Sequence, residues 1–174
     1  MKKQAINIVW LKRDLRLQDH EPLFKAEKAE LPYVVIYLFE PSLICTPDTS
    51  SRHLKFVYHS LLAMNEQLNP FRRKVEVFQA EALDAFSYLE EKFQLHNLFS
   101  YCETGTAITW KRDKQIALFC EQNKINWHES QRDGILRGIR NRNDWNASWH
   151  KKMHQPVLQN TYSVSEIDAL THPF

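Results

Sequence analysis

Only three glycines occur in the 174 residues, Gly105, Gly134 and Gly138, and none lies near the first strand–helix junction. A dinucleotide fingerprint needs glycine there so that backbone can approach a pyrophosphate, and a P-loop needs it to cradle phosphates. The junction reads Leu11-Lys12-Arg13-Asp14-Leu15-Arg16, which argues against NAD, FAD or ATP binding of the usual kind at that turn. The His-x-Gly-His and Ser-Gly-Gly-x-Asp-Ser signatures of nucleotidyl transfer are also missing. Cysteine is scarce too. Cys45, Cys102 and Cys120 are odd in number and lack metal-type spacing, so they read as reduced structural thiols, with no metal site expected. No Ser/His/Asp order or Cys–His pair marks a nucleophile, and His20, His53 and His59 read as core or surface histidines rather than ligands. Long apolar runs are absent: nothing approaches the ~20 residues that span a bilayer. The apolar stretch after Met1-Lys2-Lys3-Gln4 is too short for a signal peptide. The expectation is a cytoplasmic protein without a membrane partner.

What remains is enough for a packed domain, with 43% apolar and 25% charged residues. The net charge of +2 does not by itself imply a polyanionic partner. Its distribution is uneven. Arg132, Arg137, Arg140, Arg142, Lys151 and Lys152 against Asp133 and Asp144 give residues 132–154 a local +4.

Apolar, β-branched runs alternate with helical periodicity. Ala5–Trp10 and Tyr33–Phe39 read as buried strands, the second halted before Pro41, and Lys74–Phe78, Asn97–Cys102 and Ile125–Glu129 supply three more. A short helix after Asp19 carries Leu23, Phe24 and Ala26. The clearest helix places Leu54, Val57, Tyr58, Leu61, Leu62 and Leu68 on one face, with Ser51 as its N-cap. Another opens near Glu81 with Leu83, Phe86, Leu89 and Phe93. The next spans about Thr106 to Asn123 and turns Ile116, Phe119 and Cys120 inward. Strands alternating with helices predict a doubly wound, Rossmann-like α/β fold: a five-stranded parallel sheet with helices on both faces. Further on, Trp145, Trp149 and Met153 repeat every four residues as one face of a short helix. The polar stretch Asn160 to Ser165 reads as a linker that does not complete a core. The expected division is therefore an α/β domain over 1–131 and a basic inter-domain segment and linker over 132–174.

The segment Val9-Trp10-Leu11-Lys12-Arg13-Asp14-Leu15-Arg16-Leu17-Gln18-Asp19-His20-Glu21-Pro22-Leu23 closely resembles the opening of DNA photolyases and cryptochromes. The match is long, ungapped and rich in uncommon residues. Four others extend it: Phe39-Glu40-Pro41; Ser51-Arg52; Glu103-Thr104-Gly105-Thr106 followed by Trp110-Lys111-Arg112-Asp113; and Asp133-Gly134-Ile135-Leu136-Arg137 with Arg142, Trp145, Trp149 and Met153. In the first stretch, Arg13 and Arg16 can pair with Asp14 and Asp19 and so fix a loop without glycine.

The resemblance implies the N-terminal, light-harvesting domain of a photolyase-like flavoprotein. The alternatives are a cryptochrome-type photoreceptor domain or a stand-alone nucleotide- or partner-binding module of the same superfold. It further implies that FAD and damaged DNA are handled by a helical C-terminal domain absent from this chain, so that the chain alone is inactive and holds no catalytic residue. The family's electron-relay tryptophans belong to that other half, which leaves Trp145 and Trp149 as packing residues of a linker helix. An antenna chromophore would bind beyond the carboxyl ends of the strands, at Arg13, Asp14, Phe39, Glu40, Glu103 and Thr106, with Arg52 approaching from the head of its helix. Folate-type members carry an Asn-Glu pair where this chain has Ile108-Thr109, so a deazaflavin or flavin is expected before a folate. The basic segment with interleaved tryptophans suits charged packing against the missing domain better than direct DNA contact.

Overall fold

A computed structural model describes residues 3–136 and 138–174; Arg137 of the basic segment lies outside the described residues. Strands β1 (Ala5–Leu11), β2 (Tyr33–Leu38), β3 (Val75–Phe78), β4 (Gln94–Tyr101) and β5 (Asn126–Ser130) pair in parallel, in the order β3-β2-β1-β4-β5. The helices are α1 (Glu21–Lys28), α2 (Pro41–Ile44), α3 (Ser51–Leu68), α4 (Ala82–Lys92), α5 (Ala107–Gln122) and α6 (Trp145–Met153).

The period of two in β1 assigns the two faces of the sheet. Ile6, Ile8 and Trp10 point toward α4 and α5, where Phe86, Leu89, Ile116 and Cys120 complete one core. Val9 and Leu11 point the other way, toward Leu23 and Ala26 of α1 and Leu61, Met64 and Leu68 of α3. Both faces are covered, as the strand–helix alternation predicts. Strand β5 is the exposed edge, and Asn126, His128 and Glu129 make that edge polar.

Three expectations need correction. The N-cap of α3 is Ser50, whose hydroxyl accepts from the His53 N–H; Ser51 is the first helical residue. The core stripe of α3 runs Leu54, Val57, Leu61, Met64 and Leu68 in alternating steps of three and four. Tyr58 and Leu62, assigned to that stripe, are half exposed one position to its side. The third concerns the tail, which does not run free. Ile167 and Leu170 pack on the α4/α5 core, Tyr162 packs on the α1/α3 core, and the His172 ring stacks on Phe78 with centroids 4.1 Å apart. Polar spacing hid this, because most anchors of the tail are hydrogen bonds rather than apolar contacts.

The short helix α6 forms as expected. Its Trp149 lies so close to Gly134 that a Cβ there would sit 2.0 Å from the indole Cδ1. The Trp145 indole N–H donates to the Gly134 carbonyl at 3.0 Å. These are packing contacts of the kind expected for the two tryptophans.

Candidate functional site

The strand order reverses direction between β1 and β4. In an open parallel sheet this is where the loops at the strand ends diverge and leave a crevice. The chain places a cavity of about 810 Å³ there. Its walls come from the exits of β1 (Arg13, Asp14), β2 (Phe39, Glu40) and β4 (Glu103, Thr106), from α2 (Leu43, Ile44) and from the first turns of α3 (His53, Leu54, Phe56, Val57).

Beneath the cavity lies a buried ionic floor. Arg112 of α5 donates from Nη1 to Glu40 Oε1 at 2.7 Å, from Nη2 to Glu103 Oε2 at 2.9 Å and from Nε to Asp113 Oδ1 at 2.9 Å. Lys12 Nζ donates to Asp113 Oδ2 at 2.8 Å. Both cations rest on the Trp10 ring, Lys12 at 4.4 Å and Arg112 at 4.6 Å from its centroid. A guanidinium can satisfy three carboxylates at once because its donors form a rigid planar fork. Two buried cations face three buried carboxylates, and the half-exposed Arg13 supplies the third positive charge, 3.6 Å from Glu103. The floor thereby uses up Glu40, Glu103 and Asp113, while Asp48 lines the cavity outside it. Burial, aided by the Glu81 and Asp113 charges and opposed by Arg112, pushes the Glu40 carboxyl up. Burial also lowers the Lys12 ammonium despite Asp113. The Arg112 guanidinium, which burial alone would lower, is raised further by its carboxylates and stays cationic.

The β1 exit is fixed differently from the expected pairing. Arg16 does reach Asp19, at 3.5 Å. Arg13, however, turns to Glu103, and Asp14 accepts instead from the Lys12 N–H at 2.9 Å and meets His20 Nε2 at 2.7 Å. His20 is a core residue, fully buried, and its Nδ1 accepts the Leu23 N–H at 3.2 Å as the N-cap of α1. With Nδ1 accepting, the ring proton sits on Nε2 and donates to Asp14. Burial would raise the Asp14 pKa, but the His20 and Lys12 donors outweigh it and hold the carboxyl below its usual value.

Of the seven residues expected to face a chromophore, six line this cavity: Arg13, Asp14, Phe39, Glu40, Glu103 and Thr106. Arg52 is exposed on α3 and does not line it. Glu40, Glu103 and Asp14 are held by Arg112 and His20, so they brace the walls. The residues left facing the opening are Phe39, Tyr37, Ile44, Phe56 and Ile108, with Arg13, Arg16, Arg132 and His53 among them. Burial, with Glu40 and Asp14 adding to it, raises the Tyr37 phenol to about 12, so it stays protonated. Lys12 and the Arg112–Asp113 pair are the main residues that sequence reasoning left off the site. A signal exists: the buried face of α5 carries Thr109 and Asp113 where its later turns carry Ile116 and Cys120. Polar residues on an inward face require buried partners.

A doubly wound parallel sheet with an ionic floor and an aromatic wall at its switch point defines an α/β domain with an open cavity beyond its strand ends. Residues 7–140 match the profile of DNA photolyase, and the chain belongs to that family. No curated protein gives a significant match. Among solved structures, the chain is similar to an archaeal photolyase from Sulfolobus tokodaii with two FAD molecules, at 24% identity and TM-score 0.73 over 91% of this chain and 37% of that one. A Synechocystis cryptochrome gives 18% identity and TM-score 0.75, covering 99% and 40%. A class III photolyase from Agrobacterium tumefaciens gives 14% and 0.72, covering 99% and 38%. At these identities the likeness is one of fold, and the chain spans about two fifths of each neighbour's length. It corresponds to a photolyase-like N-terminal domain. No helix among the described residues is long and apolar enough to cross a membrane.

Proposed function

We propose that the cavity beyond the sheet holds the antenna chromophore of a light-driven, photolyase-type DNA repair protein. The observation that carries this reading is the cavity's chemistry. Its volume of about 810 Å³ lies within the ~300–1,000 Å³ of ligand sites, and aromatic and apolar side chains provide the flat contact a planar heterocycle requires. The carboxylates of the floor are paired with Arg112, whereas Arg13, Arg16 and Arg132 stand at the opening in long, half-exposed ion pairs of 3.5–3.8 Å. That arrangement favours an anionic ligand, such as a phosphate-bearing flavin or deazaflavin. The floor itself would hold no ligand; it would keep the walls apart.

Ile108 lines the cavity, and the Thr109 hydroxyl is already used on the Thr106 carbonyl at 2.8 Å. This side therefore lacks a free amide and carboxylate for a pterin edge, which supports flavin-type ligands over folate. Bound there, the antenna would absorb light and pass the excitation to FAD in a helical domain of the same cytoplasmic protein, which would act on damaged DNA. The α/β unit over 1–131, with 132–174 leading to that domain, is the division of labour this implies.

The test is a fluorescence titration of the purified chain with FMN, FAD, riboflavin, a hydroxylated deazaflavin and a reduced folate. Saturable binding of the phosphate-bearing flavins or the deazaflavin is expected, weaker for riboflavin and absent for the folate. Arg13→Gln with Arg132→Gln should erase the preference for FMN over riboflavin. Equal binding of all five, or binding of none, would refute the reading.

A further inference from the structure

The cavity wall after β1 is held from behind by the C-terminal segment. Residues 17–20 and 158–162 are joined by a continuous set of hydrogen bonds. The Asp19 N–H donates to the Leu158 carbonyl, and the Leu158 N–H to Asp19 Oδ1, both at 3.1 Å. Gln18 Nε2 donates to the Asn160 carbonyl at 3.0 Å, and the Asn160 N–H returns to Gln18 Oε1 at 3.1 Å. The Tyr162 hydroxyl donates to the Leu17 carbonyl. At the centre, the buried Asn160 side chain takes both backbone polar groups of His20. Its Oδ1 accepts the His20 N–H at 2.8 Å, and its Nδ2 donates to the His20 carbonyl at 3.0 Å.

His20 then hands the constraint forward. Its ring joins Leu23 to Asp14, and Asp14 holds the Lys12 N–H, so the loop that presents Arg13 to the cavity is pinned at both ends. Asp19 sits in this loop at φ +52°. That left-handed conformation is one an aspartate tolerates better than most residues, though at some cost. A loop in such a conformation persists only where its surroundings hold it.

We infer that Asn160 is a positioning residue for the cavity: by clamping the backbone of His20 it sets the place of Arg13 and Asp14, and so the affinity for the chromophore. This rests on the ligand reading above. The complete chain is compared as wild type, Asn160→Ala, Asn160→Asp and Leu170→Ala. Leu170 belongs to the same tail but packs on the opposite face of the sheet. FMN affinity is followed by fluorescence, and exchange of the His20 Nε2 proton by NMR.

Asn160→Ala, which removes both side-chain hydrogen bonds to His20, should weaken FMN binding by about tenfold and speed exchange of the His20 proton. Asn160→Asp, which turns a buried carboxylate oxygen onto the His20 carbonyl in place of the donor, should weaken binding and speed exchange at least as much. Leu170→Ala should lower the melting temperature while leaving affinity and exchange as in wild type. If Leu170→Ala weakens binding equally, or the Asn160 variants bind and exchange like wild type, the inference is overturned. Should Asn160→Ala fail to fold, Asn160→Asp decides between the same outcomes. Should wild type bind neither FMN nor the deazaflavin, the ligand reading fails, and the exchange comparison still decides the clamp.

Discussion

Asp14 lies between two donors, the Lys12 N–H and the His20 Nε2–H, and a carboxylate serves both. An amide cannot. In Asp14→Asn the Oδ1 can face only one donor while Nδ2 meets the other, and His20 cannot shift its proton because Nδ1 already accepts from Leu23. The substitution should cost about 2 kcal/mol at pH 7, the value of a hydrogen bond to a charged group. The sign of its pH dependence follows from the depressed folded pKa. Stability from Asp14 is complete above the ordinary value of 3.8 and is lost as the pH falls through the lower folded value. Urea unfolding of both proteins at stepped pH should therefore show the gap closing below pH 3.8.

Arg112→Met should be harsher, about 3–5 kcal/mol, because it strands the buried Glu40 and leaves Glu103 and Asp113 with only Arg13 and Lys12; thermal melts would measure it. Neither network was fully legible in the sequence. The motif around Arg13 and Asp14 is visible as a pattern, and charge complementarity suggests near neighbours as partners. The actual partners, Glu103 and His20, are chosen by the parallel pairing of β1 with β4 and by the start of α1, which residue spacing alone does not encode.

At the scale of elements, the strand–helix alternation is written plainly in apolar runs and helical periods, and all five strands form within a few residues of their expected bounds. Helix α3 shows where such reading loses resolution. Leu54, Val57, Tyr58, Leu61, Leu62 and Leu68 are all apolar, so composition defines a broad stripe, and only packing against Val9, Val35 and Val75 selects its centre. The consequence is measurable. Leu61→Ala should cost about 2–5 kcal/mol as a buried truncation, whereas Leu62→Ser, half exposed one residue later, should change stability by less than about 0.5 kcal/mol. Equal losses in denaturant melts would show that α3 is rotated from the orientation described. Leu54 and Val57 of that stripe, with His53 and Phe56, also line the cavity, so the same helix serves the core at one end and the cavity wall at the other.

Across the whole molecule, the sheet's switch point, the ionic floor and the tail form one arrangement around the cavity. The floor fixes the ends of β2 and β4 through the Arg112 guanidinium and the end of β1 through Lys12, and the tail fixes the loop between β1 and α1 from outside. Polar tails without apolar period look like linkers, and this one conceals its role because backbone atoms and one asparagine do most of the anchoring. The most direct measurement is binding of FMN or a deazaflavin to the wild-type chain beside Ile44→Trp, which fills the cavity from α2 without entering either core. Saturable one-to-one binding to wild type, lost in a variant with an unchanged circular dichroism spectrum and melt, is the predicted result. Equal binding to both proteins would place the chromophore elsewhere and contradict the account.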